Sequence, residues 1–281
     1  MKFLKRLIPF RKREPQVAVV RLSGIIGGTG NFNRSLSLRS VESNIEAAFS
    51  QKKALAVALI INSPGGSPVQ ADLIQKRISD LANEKDKPVF VFCEDVAASG
   101  GYWIALAANE IYANASSIIG SIGVVSAGFG FNEAINKIGV ERRIYATGDK
   151  KGMLDPFQPE NSDHVSHLKS LQGEIFSLFQ DWVKSRRGAR LKGTPEELFS
   201  GAFWTGVKAK ELGLIDGLGD MRTVMQERFG ENVQFKTFEK KAGLLSRFGL
   251  SSKIEGDVAS EVINDLLDSI EARALWNRFG L

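Results

Sequence analysis

With 281 residues and 43% hydrophobic side chains, the chain can fill the core of one large domain or two small ones, so a folded enzyme is the starting expectation. The formal net charge of +5 does not indicate nucleic acid, because Lys2, Lys5, Arg6, Arg11, Lys12 and Arg13 crowd the first 13 positions without an acid and the remaining body is near neutral. No basic face is left to track a phosphate backbone. The single cysteine, Cys93, excludes a disulfide framework, and its apolar setting from Pro88 onward suits a buried small side chain rather than a nucleophile or metal ligand.

Among the first charges stand Phe3, Leu4, Leu7, Ile8 and Phe10, never in an apolar run near the roughly 20 residues that cross a bilayer. No h-region or small-residue cleavage site follows. A cytoplasmic chain is expected, with 1–13 either a solvated terminus or a basic amphipathic arm resting peripherally on an anionic membrane. A first strand is expected at 16–21, then a Gly/Asn-rich loop at 25–36. Val41, Ile45 and Phe49 have helical spacing, and 54–61 is a near-continuous apolar strand of the kind covered on both faces. A helix over 69–82 leads to a strand at 89–93 and a helix that begins at Ser99 and carries Tyr102, Trp103, Leu106 and Ala107. Short strands at 111–113 and 141–146 flank a helix at 132–138. This alternation implies an α/β domain with largely parallel strands.

Beyond 157 the pattern becomes a long amphipathic helix from 161 to about 187, with Val165, Leu168, Leu171, Ile175, Phe176, Phe179 and Trp182 on one stripe. Thr194-Pro-Glu-Glu opens a further helix, and Thr205 caps the one containing Ala209 and Leu212, which closes at Leu212-Gly-Leu-Ile-Asp216. Residues 240–256 have linker composition, and Val258, Val262, Leu266, Ile270 and Leu275 ridge a last helix. The expected organisation is an arm at 1–15, a main domain at 16–239 with a helical arm at 157–190, and a linker with an amphipathic helix at 240–281.

Two strand-to-helix turns carry the chemistry. Asn62-Ser-Pro-Gly-Gly66 lets backbone N–H groups face a ligand, which suits an oxyanion or a phosphate, or it is a plain turn. Asp95-Val-Ala-Ala-Ser99-Gly-Gly places Ser99 where a helix starts, a nucleophile's position that an ordinary N-cap serine also occupies. A hydroxyl needs a base at neutral pH, yet the only histidines, His164 and His167, lie on the long helix and read as a solvated face. That disfavours both a Ser/His/Asp triad and a zinc site, which would need a third ligand. Lysine remains, because desolvation frees an amine to accept a proton. Lys150 and Lys151, in Thr147-Gly-Asp-Lys-Lys-Gly-Met153, are the candidates, and on an extended segment only one of two neighbours can face Ser99.

The ordered set SPGG, AASGGYW, IIGSIGV, TGDKKGMLDPF and ELGLIDGLG resembles the SppA/SohB-type signal peptide peptidase family over roughly residues 16–225. The resemblance implies a Clp/crotonase-like spiral of ββα units with mostly parallel strands, followed by a helical arm and a C-terminal helix. It places the nucleophile at Ser99, the base at Lys151 rather than Lys150, and a lysine-orienting hydroxyl at Ser121. Oxyanion donors are implied at Gly65 or Gly66 and at Gly100. The expected reaction is serine endopeptidase hydrolysis of unfolded or signal-peptide-like segments, without metal or cofactor, in a homo-oligomer. Two rivals share the architecture: a crotonase-like acyl-CoA enzyme and a non-catalytic scaffold at the membrane surface.

Overall fold

The computed structural model describes residues 14–27, 35–239 and 273–280. The basic arm at 1–13, the linker at 240–256 and most of the ridge from Val258 to Ile270 lie outside them. The first six elements alternate: β1 (Gln16–Ser23), α1 (Leu38–Phe49), β2 (Ala54–Ser63), α2 (Pro68–Lys85), β3 (Val89–Ala98) and α3 (Gly100–Ala105). Then come β4 (Glu110–Ala113), β5 (Ile118–Gly120), α4 (Asn132–Lys137), α5 (Ser162–Arg187), α6 (Pro195–Leu198), β6 (Phe203–Thr205), α7 (Gly206–Glu211), β7 (Gly217–Leu218), α8 (Met221–Phe229) and β8 (Gln234–Phe238). Their eight-stranded sheet runs β6-β5-β3-β2-β1-β8, with β4 pairing β3 and β7 off that path. Only the β5/β6 pair is antiparallel. This mixed α/β, mostly parallel sheet fits the expected Clp/crotonase-like spiral.

Alternation along each strand sends side chains to two cores. Val57, Leu59, Ile61, Val91 and Cys93 pack toward α1, α2 and α3, while Ala56, Ala58, Phe90 and Phe92 face Val224 and Met225 of α8. Both faces are covered, which is why β2 and β3 read as unbroken apolar runs. Each fully buried Val, Leu, Ile or Phe contributes roughly 1.5–3 kcal/mol.

Pairing between β2 and β3 shifts after Ile61, so that Ile61 faces Cys93 but Ser63 faces Ala97. Such a bulge bends the strand. β3 therefore runs past the expected 89–93, pairing β4 through Phe90–Cys93 and then β5 through Val96–Ala98. The bend aims its end at the turn that follows β2.

Helix α5 is anchored only through its second half, where Phe179, Val183 and Arg187 are buried. Trp182 Nε1 donates to Trp103 O at 3.1 Å, and Arg186 donates to Leu106 O at 2.7 Å and Ala108 O at 2.9 Å. These bonds satisfy carbonyls left open at the end of α3. Arg187 donates to Gly213 O at 2.9 Å and to Asp216 Oδ2 at 2.8 Å. Asp216 also accepts from Arg190 at 3.0 Å and from Ile111 N at 2.8 Å. Burial alone would raise the Asp216 carboxyl, but the Arg187 hydrogen bond, the Ile111 N–H and the two arginine charges hold it below the usual carboxylate range.

The expected strand at 141–146 does not form, since that stretch is irregular and exposed. A strand needs a ladder partner, and no strand of the sheet pairs with it. Arg142 instead pairs with Asp155 at 3.1 Å and Arg143 with Glu141 at 2.7 Å. No helix among the described residues is long and apolar enough to cross a membrane.

Candidate active site

β2 ends at Ser63, and Pro64-Gly65-Gly66 carries the chain into α2, whose first turn is capped by the Ser67 hydroxyl. Ile26 pins this turn from the side: its N–H donates to Gly65 O and its carbonyl accepts from Ser67 N, both at 2.8 Å. At Gly66, φ is +138° and a Cβ would stand 2.1 Å from Ile26 O. At Gly65, φ is +107° and a Cβ would stand 2.7 Å from Ser99 Cβ. Glycine is required at both positions, by the close approach of Ile26 at Gly66 and of Ser99 at Gly65.

Ser99 follows the bent end of β3, with φ +52° and ψ −121°. Sparsely populated backbone of this kind costs on the order of 1–3 kcal/mol and clusters where function demands it. Its N–H donates to Gly120 O at 2.8 Å and its carbonyl accepts from Trp103 N at 3.0 Å, so neighbours hold the strained conformation in place. Although Ser99 occupies the N-cap position of α3, its side chain makes no capping hydrogen bond. The hydroxyl is half-buried and opens into a cavity of about 340 Å³ lined by Ser121, Gln172, Phe176 and Phe199 among others.

The three glycine amides differ. Gly65 N–H donates to Ser63 Oγ at 3.2 Å, whereas Gly66 N–H meets no acceptor among the described residues. Gly100 N–H is the first of α3 and has no partner within its own helix. Gly66 N lies 3.5 Å from where a Cβ on Gly100 would stand, and Gly100 N lies 3.1 Å from where one on Gly65 would stand. Among the described residues, two open amides thus stand on the turns that meet at Ser99. Ile26, which pins this geometry, carried no sequence signal of its own, whereas Ser63 and Gly120 lie within the SPGG and IIGSIGV motifs.

Ser121 is buried, has φ +51°, donates its N–H to Ala202 O at 2.7 Å and lines the cavity. Ser99, Ser121, Gly65, Gly66 and Gly100 are therefore gathered. Lys151 is not. It is exposed, in a turn where its N–H donates to Gly148 O at 3.0 Å, and it does not line the cavity. Lys150 lies in the same turn, so opposite-facing neighbours on a strand cannot separate the two. Neither histidine lines the cavity. Among the described residues, no group of three His, Cys, Asp or Glu side chains could hold a metal ion.

Residues 81–233, which include Ser99, Gly100, Ser121 and Lys151, match the family described as Peptidase family S49. The chain belongs to peptidase family S49. Over 288 residues it is 53% identical to a Brucella abortus protein named Na(+)/H(+) antiporter NhaA, a match that covers 99% of this chain and 39% of that protein. It is 34% identical over 214 residues to the chloroplastic serine protease SPPA of Arabidopsis thaliana, covering 73% of this chain and 31% of that one. The chain thus spans between about a third and two-fifths of these relatives' length. A solved structure of the 1510-N membrane-bound stomatin-specific protease, a mutant in complex with a substrate peptide, aligns over 80% of this chain and 92% of that chain. Its TM-score is 0.49 and its identity 18%.

Proposed function

We propose that this chain is a serine endopeptidase that cleaves extended, unfolded or signal-peptide-like segments through an acyl-enzyme. The observation that carries the reading is Ser99 itself: a strained serine at a helix start, its hydroxyl uncommitted to capping and open to a cavity, beside two unpartnered amides. In this reading Ser99 Oγ attacks the scissile carbonyl carbon, and the Gly66 and Gly100 N–H groups stabilise the oxyanion. Neutral Lys151 takes the hydroxyl proton and returns it to the leaving amine, and water then attacks the acyl-enzyme by the same route. Ser121 orients the lysine.

The base reaches the nucleophile when copies of the chain assemble. Supporting this are the absence of Lys151 from the cavity lining and the exposed apolar side chains that share its segment, 124–160. Phe129, Ile138 and Tyr145 are exposed at 81%, 75% and 92%, an unpartnered surface of the kind that marks a protein interface. We place the work at the cytoplasmic face of a membrane, a location supported by the antiporter name of the Brucella relative and by the basic residues at 1–13.

A fluorophosphonate probe should label the wild type and not Ser99→Ala, with hydrolysis of casein or a signal peptide lost in parallel. Hydration of acyl-CoA thioesters without peptide cleavage would replace this reading with the crotonase-like one. Absence of both would leave the scaffold.

A further inference from the structure

The geometry points to a carboxylate-binding subsite in the Ser99 cavity, formed by Arg278; this rests on the reading of Ser99 as a peptidase nucleophile. Arg278 follows a helical stretch at 273–277, remote in sequence from the other residues that line the cavity. Its neighbour Phe279 fixes the segment there by packing edge-on against Phe203 of β6, with ring centroids 5.0 Å apart.

The rest of the lining is hydroxyl, amide, glycine and apolar, with Ser99, Ser121, Gln172, Phe176 and Phe199 as its principal side chains and no Asp or Glu among them. Among the described residues Arg278 has no carboxylate partner, and the one contact of its guanidinium is the Phe279 ring, 5.9 Å from the centroid. A lone positive charge at the wall of a partly apolar cavity is a recognition element. The planar guanidinium, on an exposed residue at the cavity edge, matches a carboxylate in two-point geometry. Phe176 and Phe199 offer apolar contact alongside. The fitting substrate is an extended peptide with an apolar side chain near the scissile bond and a carboxylate close by, from an Asp or Glu side chain or from a free C-terminus.

The test uses the full chain and one apolar peptide carrying Glu, Gln or Lys at a single flanking position, each with a free or an amidated C-terminus. The wild type should favour the carboxylate-bearing peptide over its Lys counterpart by about tenfold in kcat/KM, equivalent to about 1.4 kcal/mol. Arg278→Ala should flatten that ratio and Arg278→Glu should invert it. Preference that follows Glu assigns the side chain; preference that vanishes on amidation assigns the terminus. Identical ratios in all three proteins overturn the subsite. Fluorophosphonate labelling separates the failures: labelled variants with unchanged ratios sink the subsite alone, whereas an unlabelled wild type sinks the nucleophile and the subsite with it.

Discussion

Strands β2 and β3 bury nearly all their apolar side chains, whereas the segment 124–160 leaves Val125, Phe129, Phe131, Ile138, Val140 and Tyr145 in solvent. The first region ends in Ser99 and the Pro64-Gly65-Gly66 turn, and the second carries Lys151. What differs is the source of order. Ser99 and its amides are set by packing inside one chain, through Ile26, Gly120 and the bulge after Ile61. The 124–160 segment is organised only locally, by the Phe131 and Phe157 rings stacked at 5.5 Å and by the Arg142–Asp155 pair. In the proposed mechanism, preparing the nucleophile is thus a folding problem, and delivering the base is an association problem.

The sharpest way to break this contrast is complementation. Ser99→Ala and Lys151→Ala should each lower kcat on the order of 10⁶-fold, as loss of a nucleophile or its base does in a serine peptidase. Mixing and reassembling the two inactive variants should restore a fraction of turnover, while Lys150→Ala stays active. If mixing restores nothing although both variants assemble, Lys151 works within its own chain.

Gly66→Ala probes the folded half alone. A methyl group there collides with Ile26 O, so the turn must shift and carry its amide away from the oxyanion. Loss of such a donor costs roughly 10²–10³ in kcat. The lysine side should be untouched, so the variant should still rescue Lys151→Ala when mixed with it. Failure of that rescue would mean the two regions are not separable.

A smaller effect is expected from Tyr145→Ser combined with Ile138→Ser. Light scattering should show a lower mass and activity should fall several-fold when dilute, recovering as concentration rises, with the melting temperature of the sheet domain unchanged. An unaltered mass would remove 124–160 from the interface.

The smallest effect concerns stability. Arg187→Leu leaves the Asp216 carboxylate one donor short and should cost about 1–3 kcal/mol in urea unfolding, without a selective loss of kcat. Because the folded Asp216 carboxyl titrates below its unfolded value, its contribution is present above the unfolded pKa and disappears as pH falls through the folded one. Asp216→Asn should flatten that part of the acid limb. An acid limb equally steep in the variant would assign it to other carboxylates.

Much of the buried half was legible because its periodicities are set by burial itself. The runs at 54–61 and 89–93 each announce a covered face, and so does the Phe179–Trp182 end of the long helical stripe, although Leu171 nearer its start stays exposed. The caps at Thr194 and Thr205 were readable for a local reason, since a side-chain oxygen bonds an amide three residues on. The strand at 141–146 was misread because its β-like pattern has no pairing edge within the chain. Of the site, Ser99, Ser121 and the glycines stood out as motifs, but the choice of Gly66 over Gly65 needed the Ser63 hydroxyl, a contact no spacing encodes. Arg278 had no motif at all, and only the packing of Phe279 brings it into view.

Cys93 gives these experiments a practical handle. It is the only thiol in the chain, it lies in the core, and burial pushes its pKa up to about 12. In the folded protein it should be silent to alkylating and oxidising reagents, and its reactivity becomes a clock for core opening. Any cysteine introduced at the surface can then be modified selectively against a quiet background. A bifunctional thiol crosslinker applied to a mixture of Ser99→Cys and Lys151→Cys chains would register directly whether one copy's turn sits over another copy's cavity.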